Sequence, residues 1–85
     1  MPTLNYVSND SQSVSVTYSD MPAGTNAVFV NQVSGAQTPS QSAALSKGGD
    51  GAADIPISGL ALGQYYLQAQ NSGQYVAQTV MFYIN

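Results

Sequence analysis

An all-β fold is the class this sequence predicts, on three observations. Residues 13–18 read Ser-Val-Ser-Val-Thr-Tyr, a period of two that sets Val14, Val16 and Tyr18 on one face and hydroxyls on the other. The good helix formers Glu, Lys and Arg are nearly missing, and Ser, Thr, Val, Tyr and Gly interrupt every stretch of helical length. Clusters of Asn, Asp, Gly and Pro punctuate the chain at short intervals, as turns between strands require. With 85 residues, one domain over residues 1–85 is expected, because a chain this small buries only about 60 to 65% of its unfolded surface and has no room for a second core.

The elements follow in order. Leu4 and Tyr6 share one face of a first strand over residues 3–8, and Asn9-Asp10 turns the chain into the second, over residues 12–18. After Ser-Asp-Met-Pro-Ala-Gly-Thr, residues 26–33 give a β-branched and aromatic run, apolar on both sides, which suits a central strand. The signal then fades, leaving Ala43-Ala44-Leu45 as the centre of an edge strand over residues 42–46. Lys47-Gly48-Gly49-Asp50-Gly51 reads as a flexible turn. Ala53, Ile55 and Ile57 alternate in a strand over residues 52–58, where Pro56 cannot donate a ladder bond and calls for an edge or solvent.

Residues 64–71 and 74–84 make a hairpin about Ser72-Gly73, with Asn71 opposite Gln74, Ala69 opposite Val76, Leu67 opposite Gln78 and Tyr65 opposite Val80. That register gathers Tyr65, Leu67, Ala69, Val76, Val80, Phe82 and Ile84 on an inner face with Gln78 as its single misfit. The opposite face carries Tyr66, Gln68 and Gln70 against Tyr75, Ala77, Thr79, Met81 and Tyr83. Val16, Phe29, Leu67, Val80 and Phe82 form the expected core. About seven short antiparallel strands in a chain of this length imply a sandwich or a small barrel.

Just ahead of the hairpin stands Leu60-Ala61-Leu62-Gly63-Gln64-Tyr65. It resembles the Leu-x-x-Gly-x-Tyr tyrosine corner of Greek-key sandwiches in the immunoglobulin-like and fibronectin type III superfamily. The resemblance implies a Greek-key immunoglobulin-like β-sandwich in which Leu60, Gly63 and Tyr65 make the corner. It also puts Leu67 and Val16 where antibody-type domains carry their Cys pair, and Phe29 at the core aromatic position. Neither Cys is present, so the likeness is to disulfide-free modules of bacterial surface proteins, multidomain enzymes and phage structural proteins. That fold hosts adhesion, spacing, carbohydrate binding and assembly alike.

Composition narrows the function. One Lys+Arg against four Asp+Glu gives a net charge of -3, and Lys47 alone cannot supply the phosphate contacts of a nucleic-acid binder. With no Cys and no His, thiolate chemistry, His-based triads and the usual zinc or iron ligands are excluded, and no cofactor is called for. The nearest carboxylate pair, Asp50 and Asp54, sits in or beside a Gly-rich turn, where Asp serves turn-making; neither glycoside-hydrolase chemistry nor calcium-loop spacing is supported. The chain therefore reads as no enzyme. No stretch nears the roughly 18 apolar residues of a membrane helix, and Met1-Pro2-Thr3-Leu4-Asn5 lacks the basic start and apolar run of a secretory signal. An intracellular or virion protein, or a domain cut from a longer exported one, fits this start, and the Ser-, Gln-, Tyr- and Thr-rich composition leans toward an extracellular, cell-surface or virion setting. The triplet Asn9-Asp10-Ser11 matches a glycosylation acceptor by chance spacing.

Two function classes remain. One is a non-catalytic structural or interaction module that mediates protein assembly or surface adhesion, with a protein partner or self-association, through a sheet face of Tyr66, Gln68, Gln70, Tyr75, Thr79 and Tyr83. Tyr offers rigid contact area and Gln a paired donor and acceptor, and sparse charge gives little resistance to association. The alternative is a small carbohydrate-binding module using the same Tyr and amide groups, though Trp, the favoured sugar platform, is absent.

Overall fold

The computed structural model describes residues 1–39, 45–57 and 59–85. They form eight strands and no helix: β1 (Thr3–Asn9), β2 (Ser13–Met21), β3 (Asn26–Asn31), β4 (Gln37–Pro39), β5 (Gly49–Pro56), β6 (Gly63–Asn71), β7 (Gln74–Gln78) and β8 (Phe82–Ile84). Two antiparallel sheets result. The first runs β1-β2-β5; the second runs β4-β3-β6-β7, with β8 pairing the same β6 beyond the end of β7. Buried residues of both sheets meet in one apolar cluster, an arrangement compatible with a β-sandwich.

Alternation places the core. Val14, Val16 and Tyr18 of β2 point inward, as do Ala27 and Phe29 of β3, Ile55 of β5, and Tyr65, Leu67 and Ala69 of β6. Asp10 makes the β1–β2 turn, its carboxylate accepting from the Gln12 and Ser13 amides at 2.8 and 2.9 Å. Pro56 stands at the end of β5, an edge strand, where its missing N–H costs no ladder bond.

Several expectations are corrected. The expected strand over 42–46 lies mostly outside the described residues; its one described apolar member, Leu45, is fully buried but belongs to a turn. The sheet edge is instead β4, in a stretch with no hydrophobic alternation. The Gly-rich turn closes earlier than expected, so Gly49, Asp50 and Gly51 are already strand.

The largest correction concerns the second arm of the hairpin. Its loop is Ser72-Gly73, with φ of 52° and 78° and Asn71 opposite Gln74, a turn of positive φ that glycine accepts freely. Beyond it the register slips. Gln70 faces Tyr75 but Ala69 faces Ala77, so Val76 is an extra residue, a β-bulge. One inserted residue exchanges the two faces. Ala77 and Thr79 turn inward, Gln78 and Val80 outward, and Val80, expected in the core, is 72% exposed. The strand then breaks between Gln78 and Phe82, a second change of parity that returns Phe82 and Ile84 to the core.

Candidate functional site

The outer face of the five-stranded sheet is built around β3 and β6. Val28 and Val30 point outward from β3, alternating with the inward Ala27 and Phe29. Val30 is nevertheless only 3% exposed, flanked in register by Gln37 of β4 and Tyr66 of β6. Above these valines lies a chain of glutamine side chains. Gln70 Nε2 donates to Gln68 Oε1 at 2.8 Å and to Gln37 Oε1 at 3.1 Å, and Gln68 Nε2 donates to Gln78 Oε1 at 3.2 Å. The amides thus link β4, β6 and β7 across the sheet. Tyr66 is half-buried beside them, and Tyr83, 54% exposed on β8, stands opposite Gln64 with Met81 nearby at 40%.

Of the residues expected on this face, Tyr66, Gln68, Gln70 and Tyr83 lie there together. Tyr75 is opposite Gln70 in register but lines a cleft against β1 at the sheet edge, 62% exposed. Thr79 is a correction: it is 5% exposed, turned inward by the Val76 bulge. Its hydroxyl accepts from the Leu67 amide at 3.0 Å and donates to the Val80 carbonyl at 2.8 Å. Two members were missed. Gln78, expected inward, belongs to this face, and its misfit among the inner residues is the mark of the slipped register. Gln37 sits in a stretch that carries no pattern to find it by.

Charge is segregated between the sheets. Asp20 belongs to β2, Asp50 and Asp54 to β5, Asp10 to the β1–β2 turn and Lys47 to the turn before β5, so no charged residue falls in the five-stranded sheet. The acids are engaged locally. Asp54 accepts from Ser15 Oγ at 2.6 Å, and Asp50 accepts from the Asp20 amide at 2.8 Å. The Met1 amine, by its hydrogen bond first and its charge second, holds the Asp20 carboxyl below its ordinary range. The Gln12 and Ser13 amides do the same for Asp10. Among the described residues no group of three or more His, Cys, Asp or Glu is placed to hold a metal ion. Asn9, the acceptor of the glycosylation triplet, is half-buried and gives its amide to the Tyr83 carbonyl at 2.8 Å, so a glycan there would break a contact between the two sheets.

Leu60, Gly63 and Tyr65 stand at the entry to β6. Leu60 packs against the core, Gly63 has φ of 148°, a conformation that favours glycine, and Tyr65 is 4% exposed. The Tyr65 hydroxyl donates to the Ala61 carbonyl at 2.8 Å, tying the connection after β5 to the start of β6. Tyr65→Phe is expected to cost about 1 kcal/mol, somewhat more if the carbonyl is left dry. An unchanged urea midpoint for this variant would mean that the hydroxyl contributes nothing to the fold.

Comparison with protein-family models, with curated proteins and with solved structures finds no match for this chain.

Proposed function

We propose that this chain is a non-catalytic interaction module of the immunoglobulin-like, fibronectin type III-like kind, which mediates assembly through the outer face of its five-stranded sheet. The observation that carries the reading is the segregation of charge: all five charged residues lie outside this sheet. Burying a charged face requires partners for every ion, whereas Tyr and Gln need only neutral hydrogen bonds, which a second protein surface supplies. The face also has a packed apolar base in Val28 and Val30 and a flank of Tyr66, Met81 and Tyr83. Its amides are already held in place by one another, so less side-chain freedom is lost on association.

Strand order supports a Greek-key reading of the fold. The chain leaves the first sheet after β2, enters the second as β3 and β4, returns beside β2 as β5, and crosses again to lie as β6 beside β3. The Tyr65 corner and the buried Val16, Phe29 and Leu67 are in keeping with the same superfamily. The absence of His and Cys and the separate local roles of the four Asp favour a module without catalysis.

Self-association is the form of assembly this neutral face fits best, since like faces carry no repulsion. Light scattering over a concentration series should give a defined oligomer. Tyr83→Lys, which places a charge on the exposed rim of the face, should weaken association by about tenfold or more, with an unchanged melting midpoint at concentrations where both proteins are monomeric. Thr17→Lys, on the exposed surface of β2 in the other sheet, should leave the mass unchanged. A monomer at every concentration, or equal disruption by both variants, would overturn the reading.

A further inference from the structure

Where the first residues of β1 approach the free edge of β7, the two sheets leave a cleft of about 540 Å³. This lies within the roughly 300–1,000 Å³ of ordinary small-molecule sites. Leu4, 4% exposed, and half-buried Val76 give it an apolar floor. Tyr75, 62% exposed, offers a ring at its rim, with Thr3, Asn5 and Gln78 around it. The polar groups of the rim have capacity to spare. Among the described residues, the Asn5 amide and the Tyr75 hydroxyl have no hydrogen-bond partner, and Gln78 uses only its Oε1, leaving Nε2 open.

The electrostatics restrict the occupant. The one cation on the lining, the Met1 amine, is held at 2.7 Å by the Asp20 carboxylate, so neither an anion nor a cation finds an uncompensated counter-charge. A purely aliphatic molecule would cover the Asn5 and Gln78 amides without satisfying them. The ligand class that presents an apolar face to an aromatic ring and a girdle of hydroxyls to neutral amides is a pyranose sugar. We propose that this cleft binds a neutral oligosaccharide, with one ring stacked on Tyr75 and its hydroxyls bonded to the Asn5 and Gln78 amides. The cleft shares Gln78 with the face of Tyr66 and Tyr83, where its Oε1 accepts from Gln68, but it uses the open Nε2, and the proposal does not depend on assembly there.

The test is a titration of the isotopically labelled protein with neutral trisaccharides (maltotriose, cellotriose, mannotriose and triacetylchitotriose) followed by amide chemical shifts. It is carried out on the wild-type chain and on Tyr83→Lys, so that binding is read apart from self-association. At least one sugar should move the amides of residues 3–5 and 75–78 in both proteins. Tyr75→Ala, at an exposed position that does not support the core, should weaken that binding by about tenfold or more, and Asn5→Ala should weaken it to a smaller degree. No response to any of the sugars, shifts confined to other surfaces, or undiminished binding by Tyr75→Ala would each overturn the proposal.

Discussion

Phe29→Ala should lose about 3 to 5 kcal/mol of stability, enough to leave much of the protein unfolded. The residue is 2% exposed on β3, opposite Leu67 of β6 in register. Its ring meets Tyr65 and Phe82 edge-on, each with centroids 6.4 Å apart and interplanar angles of 83° and 81°. Phe82 in turn stacks on Tyr6 of the opposite sheet at 4.8 Å and 9°. One ring therefore supports Tyr65, the returning strand β8 and, through Phe82, the contact with β1. Truncation removes these contacts and opens a void where both sheets meet, with close-packed neighbours that cannot all collapse into it. Domains of this size have total stabilities of about 5 to 15 kcal/mol, so the loss is a large fraction of the whole. Urea denaturation followed by far-ultraviolet circular dichroism measures it. Val28→Ala, two atoms smaller on the outer face of the same strand, should cost clearly less. A midpoint for Phe29→Ala equal to that of the parent would contradict the packing described for this core.

The inward places of Val14, Val16, Tyr18 and Leu67 were legible in the sequence, because an unbroken strand with one buried face imposes its period of two on the residues; Phe29 stands in a run apolar on both sides, and its core place was implied by the Leu-x-x-Gly-x-Tyr resemblance instead. The Asn71-Ser72-Gly73-Gln74 turn was legible for a different reason: Gly73 takes the positive φ that closes a two-residue loop. After the turn, residues 75–84 are apolar or amphipathic at almost every position, and such a run fits either face about equally well. Reading an unbroken ladder through it put Gln78 inside and Ala77 outside, the reverse of what the bulge at Val76 produces. The charge segregation was present in the sequence but had no meaning until the four Asp were placed on β2, on β5 and in the β1–β2 turn. The cleft was not legible at all, because it depends on β1 and β7, far apart in the chain, approaching without pairing.

The break between β7 and β8 carries the last prediction, that Thr79→Val costs about 1 to 3 kcal/mol although the two side chains have nearly the same shape. At this point the Thr79 amide still donates to the Leu67 carbonyl at 2.9 Å, but the reciprocal bond does not go to a backbone oxygen. The Leu67 amide donates to the Thr79 hydroxyl, which in turn donates a hydrogen bond to the Val80 carbonyl. A side chain thus stands in for the ladder where the strand changes parity and sends Val80 and Met81 outward and Phe82 back to the core. Leu67 is fully buried, so removing the hydroxyl leaves its N–H with neither protein nor water to accept it. Thr79→Ser keeps the acceptor and loses only a methyl group, and should cost about 1 kcal/mol. Amide hydrogen exchange separates the two causes: Thr79→Val should speed exchange at Leu67 beyond what its loss of global stability accounts for, and Thr79→Ser should not. Equal destabilisation by both variants, with no local change in exchange, would mean that Thr79 holds the break by its methyl packing, and that the parity change of the strand is set by the Val76 bulge and Phe82 alone.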